Sequence, residues 1–477
     1  MAAVRGSAPR QSPTPGHSGL TSEQVNVLVA TCLASFVPPF MSSSLNLAIP
    51  AIGAEFGASA VVANWVITSY LIASAAFLLP FGRLGDMTGR KRVFLAGMLI
   101  HVAFSLASGL ATSAASLIVF RVFQGIGGAM GFATSVAILT SAFPPEKRGR
   151  VLGINSAAVY TGLSLGPVVG GLLTQHLGWR SILFTNAALG LVAAAVTALK
   201  IRHEWLGNRD MGFDIGGSAL YTVSLAALIG GISTFKTFPA ARWSALLGGA
   251  GLVAFVFREL RADRPALDLT LFRNPVFALS NLAALIHYSS TFAVMFLLSL
   301  YLQTVRGLDP QVAGVILLAQ PVMMALLSPR AGRLSDHIEP RLVASLGMVL
   351  TGLALALLAR LGPGTPLTWV VIELILIGVG FALFASPNTN AVMSSVPRSH
   401  YGVGAATLGT MRLVGQALSM AFVALIFAHY MGSARIGRDI APLLLASSHV
   451  AFALFSSLCA VGTLASLARG RLRRGPT

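Results

Sequence analysis

Charge is scarce in this chain. Only 10% of its 477 residues are Asp, Glu, Lys or Arg, where a soluble domain carries about 25%. A surface so poor in charge does not hold a chain of this length in water. Catalytic signals are missing too. No His, Cys, Asp and Glu cluster has metal-ligand spacing, no nucleophile–base pair stands out, and no Gly-x-x-x-x-Gly-Lys-Ser/Thr phosphate loop occurs. The expectation is a protein that is not an enzyme and takes no metal, cofactor or nucleotide. Cysteine is nearly absent: Cys32 and Cys459 both fall in apolar runs, so no disulfide framework is implied.

Hydrocarbon takes the place of charge. Hydrophobic residues make up 55% of the chain and the mean hydropathy is +0.78. Apolar runs of roughly 18 to 25 residues, each long enough to cross a ~30 Å hydrocarbon core, start near residues 24, 61, 93, 115, 151, 181, 214, 243, 276, 308, 342, 367, 401 and 443. The eighth, WSALLGGAGLVAFVFRE, is short and Gly-rich. Fourteen runs make an all-α polytopic membrane protein whose main partner is the lipid bilayer.

A net charge of +18 raises the question of nucleic acid, and its distribution answers it. Fourteen spans leave both termini on one side. With that side cytoplasmic, 24 of the 33 Lys and Arg lie in cytoplasmic segments, 7 in external loops and 2 within spans, the positive-inside pattern. No nucleic-acid partner is expected. Residues 1–23, rich in Pro, Ser and Gly, read as a disordered tail rather than a signal peptide.

The chain repeats itself. GRLGDMTGRKR (residues 82–92) and GRLSDHIEPR (residues 332–341) place Gly82, Leu84 and Asp86 opposite Gly332, Leu334 and Asp336 at an offset of 250. At an offset of 253, Gly125 and Gly127 match Gly378 and Gly380, and Pro144 and Gly149 match Pro397 and Gly402. A shared offset across four consecutive elements predicts two six-helix halves in parallel repeat, with spans seven and eight between them. The expected order is a cytoplasmic tail (1–23), a six-helix half (24–201), a loop with two linking helices (202–260), a loop (261–275), a second half (276–468) and a basic tail (469–477).

In the first short loop, Gly82 and Gly89 permit a tight turn, and Asp86 either caps the next helix or pairs with Arg90. Such a cluster reads as a cytoplasmic gate, or as positive-inside anchoring alone. In span five, Ala158, Gly162, Gly166 and Gly170 form a small-residue ridge that lets another helix approach closely. Pro167 bends the helix in its outer half, so the ridge either packs the helix or also seals the exterior.

These stretches resemble the major facilitator superfamily. Residues 82–92 resemble its signature loop, and Arg121-Val-Phe-Gln124-Gly125 its arginine motif. Gly162-Leu-Ser-Leu-Gly166-Pro167-Val-Val-Gly170-Gly171 resembles the antiporter motif of its exporters. Asp214-Ile-Gly-Gly217 and PALDLTLFRNPVF (residues 265–277) resemble its fourteen-helix drug:proton antiporter branch. The resemblance implies a transporter working as a monomer in the plasma membrane, with protons and a small molecule as partners. It also implies a role for Arg121 in proton transfer or pocket organisation. Two departures stand out. Met41 occupies the place of that branch's first-span acid in FMSSSLNLAIP (residues 40–50), and Met87 replaces the signature-loop arginine.

Ionisable groups inside spans usually face a cavity or a partner. Glu373 lies about one turn below Trp369, roughly 6 Å by helical rise. It binds a proton or cation, pairs with Arg412 on the next helix, or snorkels to external water. His101 and His287 lie near mid-membrane and are either packing residues or proton carriers. Ser43, Asn46, Gln124 and His287 are the candidate substrate contacts. The resulting expectation is proton-coupled export of amphipathic or cationic compounds. Transport of a specific metabolite or vitamin, including uptake, is the alternative; a membrane sensor or scaffold is a third.

Overall fold

The computed structural model describes residues 20–206, 214–236, 238–262, 269–397 and 401–470. Most of the N-terminal tail, the end of the basic C-terminal tail and the first four residues of the stretch 265–277 lie outside the described residues, as does the side chain of Asp336. The first six helices are α1 (Ser22–Phe56), α2 (Ala60–Thr88), α3 (Arg90–Gly109), α4 (Ala114–Ala142), α5 (Pro145–Leu177) and α6 (Arg180–Lys200). Two more, α7 (Ile215–Thr234) and α8 (Ala241–Glu259), precede the second set. That set comprises α9 (Pro275–Thr291), α10 (Val294–Leu300), α11 (Pro310–Leu317), α12 (Ala319–His337), α13 (Pro340–Leu358), α14 (Leu367–Ser394), α15 (Tyr401–Tyr430) and α16 (Ala441–Ala468).

Short polar residues start the helices. Thr21 and Ser113 form capping boxes with Gln24 and Ser116, while Ser59 and Asn274 accept from the first turns of α2 and α9. Each satisfies an amide that the helix itself leaves unpaired. Counting α9–α10 and α11–α12 as continuous spans, thirteen helices among the described residues are long and apolar enough to cross a membrane. The remaining one, α8, is less apolar, as its glycines foretell. It packs against α7, where Gly231 and Gly248 bring the two backbones together.

The repeat is visible in the packing. In α4, a methyl on Gly125 would stand 2.5 Å from the Tyr70 carbonyl of α2, and one on Gly127 would stand 2.6 Å from the His101 amide of α3. Their counterparts in α14 do the same work: Gly378 abuts the Gln320 carbonyl of α12, and Gly380 abuts Gly347 of α13. A methyl on Gly82 would stand 3.8 Å from Ala133, and one on Gly332 the same distance from Ser386; 133 and 386 differ by 253. Helices α2, α3 and α4 therefore correspond to α12, α13 and α14. This is an all-α major facilitator fold of two six-helix repeats. The extra helix α7 lies at their seam, where Tyr221 and Thr222 donate to the Ala75 and Ala76 carbonyls of α2 and its other side meets α15.

Two helices are interrupted. The chain breaks between α9 and α10, where the Ser419 hydroxyl accepts from the freed Ala293 amide at 3.1 Å, and passes through a π turn at Tyr301–Val305. A second break, at Leu318, separates α11 from α12. Irregular backbone at membrane depth requires such internal partners or a polar cavity.

Contacts between the two sets gather toward the end of the bundle that carries Glu55. Ser299 donates to the Asn46 carbonyl at 2.7 Å, Gln303 to the Leu47 carbonyl at 3.2 Å, and Asn64 to the Met420 carbonyl at 3.4 Å. The α5 ridge is used twice. Gly162, Gly166 and Gly170 admit the backbone of α1, with Ser44 donating to the Gly166 carbonyl at 2.9 Å. Gly171 and the Pro167 carbonyl then interlock with Pro310 and Gly314 of α11.

Candidate functional site

A cavity lies between the two sets, enclosing about 1190 Å³ of empty space with its mouth included. The middle of α1 supplies Ser35, Ser42, Ser43 and Asn46, and α2 supplies Tyr70 and Ser74. From the other side come Tyr288, Gln320, Phe381, Arg412 and Gln416. The wall is mostly apolar with a few polar groups, the usual composition of a small-molecule site. Both helix breaks border it, through Thr291, Phe292 and Met295 at the first and Gln320 and Pro321 at the second.

Of the four expected substrate contacts, Ser43 and Asn46 line this wall and Gln124 and His287 do not. Ser43 already donates to the Pro39 carbonyl at 2.8 Å, and its hydroxyl packs against the Gly162–Gly166 ridge of α5. Gln124 is fully buried behind Tyr70. His287 is fully buried among the rings of Phe384, Phe381 and Tyr288, at centroid distances of 4.1, 5.2 and 6.1 Å. His101 is a packing residue, its Nε2 2.8 Å from Asn186 Oδ1.

Arg121 forms a buried node with 1% exposure. Its Nε donates to the Val66 carbonyl at 3.0 Å and its Nη1 to Gln124 Oε1 at 2.6 Å. The guanidinium stands 4.4 Å from the centroid of the Tyr70 ring, a cation–π contact worth about 2 kcal/mol when desolvated. Met41 closes the node. Its Sδ lies 3.1 Å from both Arg121 Nη1 and Gln124 Nε2, and a thioether is a weak acceptor. The missing first-span acid would have faced both donors.

The alternative pairing of Glu373 with Arg412 is not what the structure holds. Neither residue joins an ion pair among the described residues. The α15 helix runs on to Tyr430, so Arg412 lies eighteen residues (430 − 412) from its end, while Glu373 lies six (373 − 367) from the neighbouring start of α14. Arg412 instead sits on the cavity wall with its guanidinium 5.5 Å from the Tyr288 ring centroid. Glu373 lies off the cavity at 6% exposure, and its Oε2 has no hydrogen-bond partner.

At the opposite end from Glu55, Asp86 accepts from Arg90 Nε at 2.8 Å and pairs with its Nη2 at 2.7 Å. Arg90 Nη1 also donates to the Ala137 carbonyl at 3.2 Å and to Ser141, tying α2, α3 and the end of α4 together. Glu204 completes this corner. Its Oε1 accepts the Lys91 amide at 2.8 Å, in space that only a residue without Cβ at Gly89 leaves open, with φ at +122°. No sequence motif pointed to Glu204. In the repeat, Ser335 donates to the Gly332 carbonyl at 2.7 Å, and the Asp336 side chain lies outside the described residues.

A family model for the major facilitator superfamily matches residues 31–420 and 280–476. The chain belongs to the major facilitator superfamily. Among curated proteins of this superfamily-wide set, it is 29% identical to a riboflavin transporter of Clostridioides difficile, over 92% of this chain and 96% of that one. It is 31% identical to a multidrug resistance protein of Mycobacterium tuberculosis, over 86% and 77%. It is 32% identical to a tetracenomycin C resistance and export protein of Streptomyces glaucescens, over 87% and 78%. Among solved structures, a bacterial homolog of the human lysosomal transporter Spinster, inward-facing and unoccupied, superposes with a TM-score of 0.69 at 17% identity, over 94% of this chain and 98% of that one. At that identity the likeness shows the fold alone. The protein is a multi-pass membrane transporter of small molecules rather than an enzyme.

Proposed function

We propose that the protein exports small amphipathic compounds across the plasma membrane by alternating access, in exchange for protons. In this reading it is a monomeric, fourteen-helix member of the drug:proton antiporter branch with both termini cytoplasmic. Residues 24–201 and 276–468 are its moving halves and α7–α8 its linkers. The observation that carries the proposal is the cavity at the repeat interface, closed at the Glu55 end by the interlocked glycines of α5 and α11. A site between two repeats, bordered by broken helices and sealed on one side, suits alternating access. The relatives named for resistance and export favour the outward direction.

Glu373 is the proton group of this reading, with the Arg121 node in support. Glu373 buries one carboxylate oxygen without a hydrogen-bond partner, which is costly for an ionised group in a membrane, and a bound proton reduces that cost. Because Glu373 stands off the cavity, coupling would run through movement of α14 rather than through contact with cargo. Asp86 and Arg90 form the inner gate, and Gly166, Pro167, Gly170 and Gly171 the outer seal. Among the described residues of the cavity wall none is Asp or Glu, which favours the amphipathic over the cationic of the two expected cargo classes.

Transport of one metabolite is the second reading, favoured by Met41 in the acid's place and by the riboflavin transporter among the relatives. The test uses inverted vesicles with a respiration-built acidic interior and a panel of riboflavin, ethidium and anthracene-2-carboxylate. Protein-dependent accumulation that collapses with an uncoupler supports proton-driven export. Accumulation of riboflavin alone, indifferent to the uncoupler, supports the second reading.

A further inference from the structure

We infer that the cavity selects amphipathic anions, holding a carboxylate or other planar acid on Arg412 and an aromatic body against the apolar wall. The inference rests on the reading of this cavity as the cargo site.

Among the described residues that line the cavity, Arg412 alone carries a formal charge, and none is Asp or Glu. Its guanidinium stands 5.5 Å from the Tyr288 ring centroid and close enough to Tyr160 to act on it electrostatically. These contacts leave the N–H donors of the guanidinium without a hydrogen-bond acceptor among the described residues, free to meet a ligand. A planar fork of donors matches a carboxylate bidentately, and stacking on a ring holds the fork ready for it.

The second buried cation reinforces the field. Arg121 also lacks a carboxylate partner, Met41 standing where one would be, and it touches the cavity wall through the Tyr70 ring. Two arginines without acids make the cavity positive. An entering cation would be repelled in a low-dielectric space, and an entering anion would replace the water that otherwise hydrates Arg412.

The remaining wall suits the rest of such a molecule. Phe132, Phe292, Phe381 and Met324 offer apolar faces, while Gln416, one turn from Arg412, and Gln320 offer amides. A flat acid of two or three fused rings has both halves of its chemistry met.

The experiment uses the full chain in nanodiscs of zwitterionic lipid and three fluorescent probes on one scaffold. These are anthracene-2-carboxylate, its neutral carboxamide and the cationic 2-(aminomethyl)anthracene. Wild type is expected to bind the carboxylate at least tenfold tighter than the amine. The ratio should fall near one in Arg412→Gln, invert in Arg412→Glu, and survive largely in Arg412→Lys, which controls for folding. A wild-type ratio at or below one, no saturable carboxylate binding, or a preference unchanged in Arg412→Gln would each overturn the assignment. Vesicle flux separates this from the export reading. Anion preference without proton-driven flux removes export and keeps the assignment; driven flux of cations without anion preference does the reverse.

Discussion

The Met41 sulfur stands 3.1 Å from the Arg121 guanidinium and 3.1 Å from the Gln124 amide. A soft, weak acceptor thus closes a buried cationic node that a carboxylate would close with charge. Met41→Asp should stabilise the protein at neutral pH, on the order of 2 kcal/mol, because it gives a buried cation its counter-ion. Met41→Ala, which leaves a cavity, should destabilise it by about as much. Thermal unfolding in detergent reads both. An aspartate variant less stable than the alanine variant would contradict the described node.

The seal at the Glu55 end depends on glycine. A side chain at Gly171 would meet the Pro310 carbonyl at 2.5 Å, so Gly171→Leu should wedge α5 from α11. In a background lacking Cys32 and Cys459, a cysteine at Asn46 reports access to the cavity. Labelling by an impermeant thiol reagent from the Glu55 side should speed up at least tenfold in the Gly171→Leu variant. An unchanged rate would mean that the interlock does not hold the closed state.

Glycines placed for packing and glycines placed elsewhere should respond oppositely. A methyl on Gly378 would stand 2.5 Å from the Gln320 carbonyl, whereas nothing lies within 4 Å of such a methyl at Gly153. Gly378→Ala should cost about 2 kcal/mol or more by overpacking. Gly153→Ala, in the exposed part of a helix, should gain up to about 1 kcal/mol. Equal effects in unfolding measurements would show that α14 and α12 are not in this close contact.

The linker helices carry a pH-dependent tie. Asp214 accepts from Arg258 at 2.8 and 3.1 Å and from the Gly217 amide at 2.9 Å. The Arg258 guanidinium, followed by the Gly217 amide, holds the Asp214 carboxyl below its ordinary range. A lowered native value means the tie is fully present above the ordinary carboxylate range and is lost as pH falls through that native value. Asp214→Ala should therefore cost about 1 kcal/mol at pH 7, the usual worth of a helix cap. The difference from wild type should shrink on acidification; a gap that widens below about pH 4 would contradict the assignment.

Much of the fold was legible in the sequence because lipid imposes it. Unbroken apolar runs of membrane length have one common outcome, and the paired glycines at 125 and 378 mark the same close approach in both repeats. The site was legible only in part. Ser43 and Asn46 reach the cavity, whereas Gln124 and His287 sit behind its wall. A helix apolar on every side has no periodic signal to say which face meets a cavity and which a neighbour. Depth misled as well. A pair with Arg412 on the next helix would need the two at one level, but Arg412 lies eighteen residues from the end of α15 and Glu373 only six from the start of α14. Tyr288 and Phe381 gave no signal as ordinary aromatics among many, and Glu204 none as a single acid in an irregular segment.

The central claim is that Glu373 exchanges protons while the cavity carries cargo. The direct measurement is proton release from acid-filled inverted vesicles on adding a compound that they accumulate, comparing wild type with Glu373→Gln. The account predicts prompt release from wild type and none from the Gln variant, which should still bind that compound with unchanged affinity in nanodiscs. Equal proton release from both would contradict it and move the proton site away from α14.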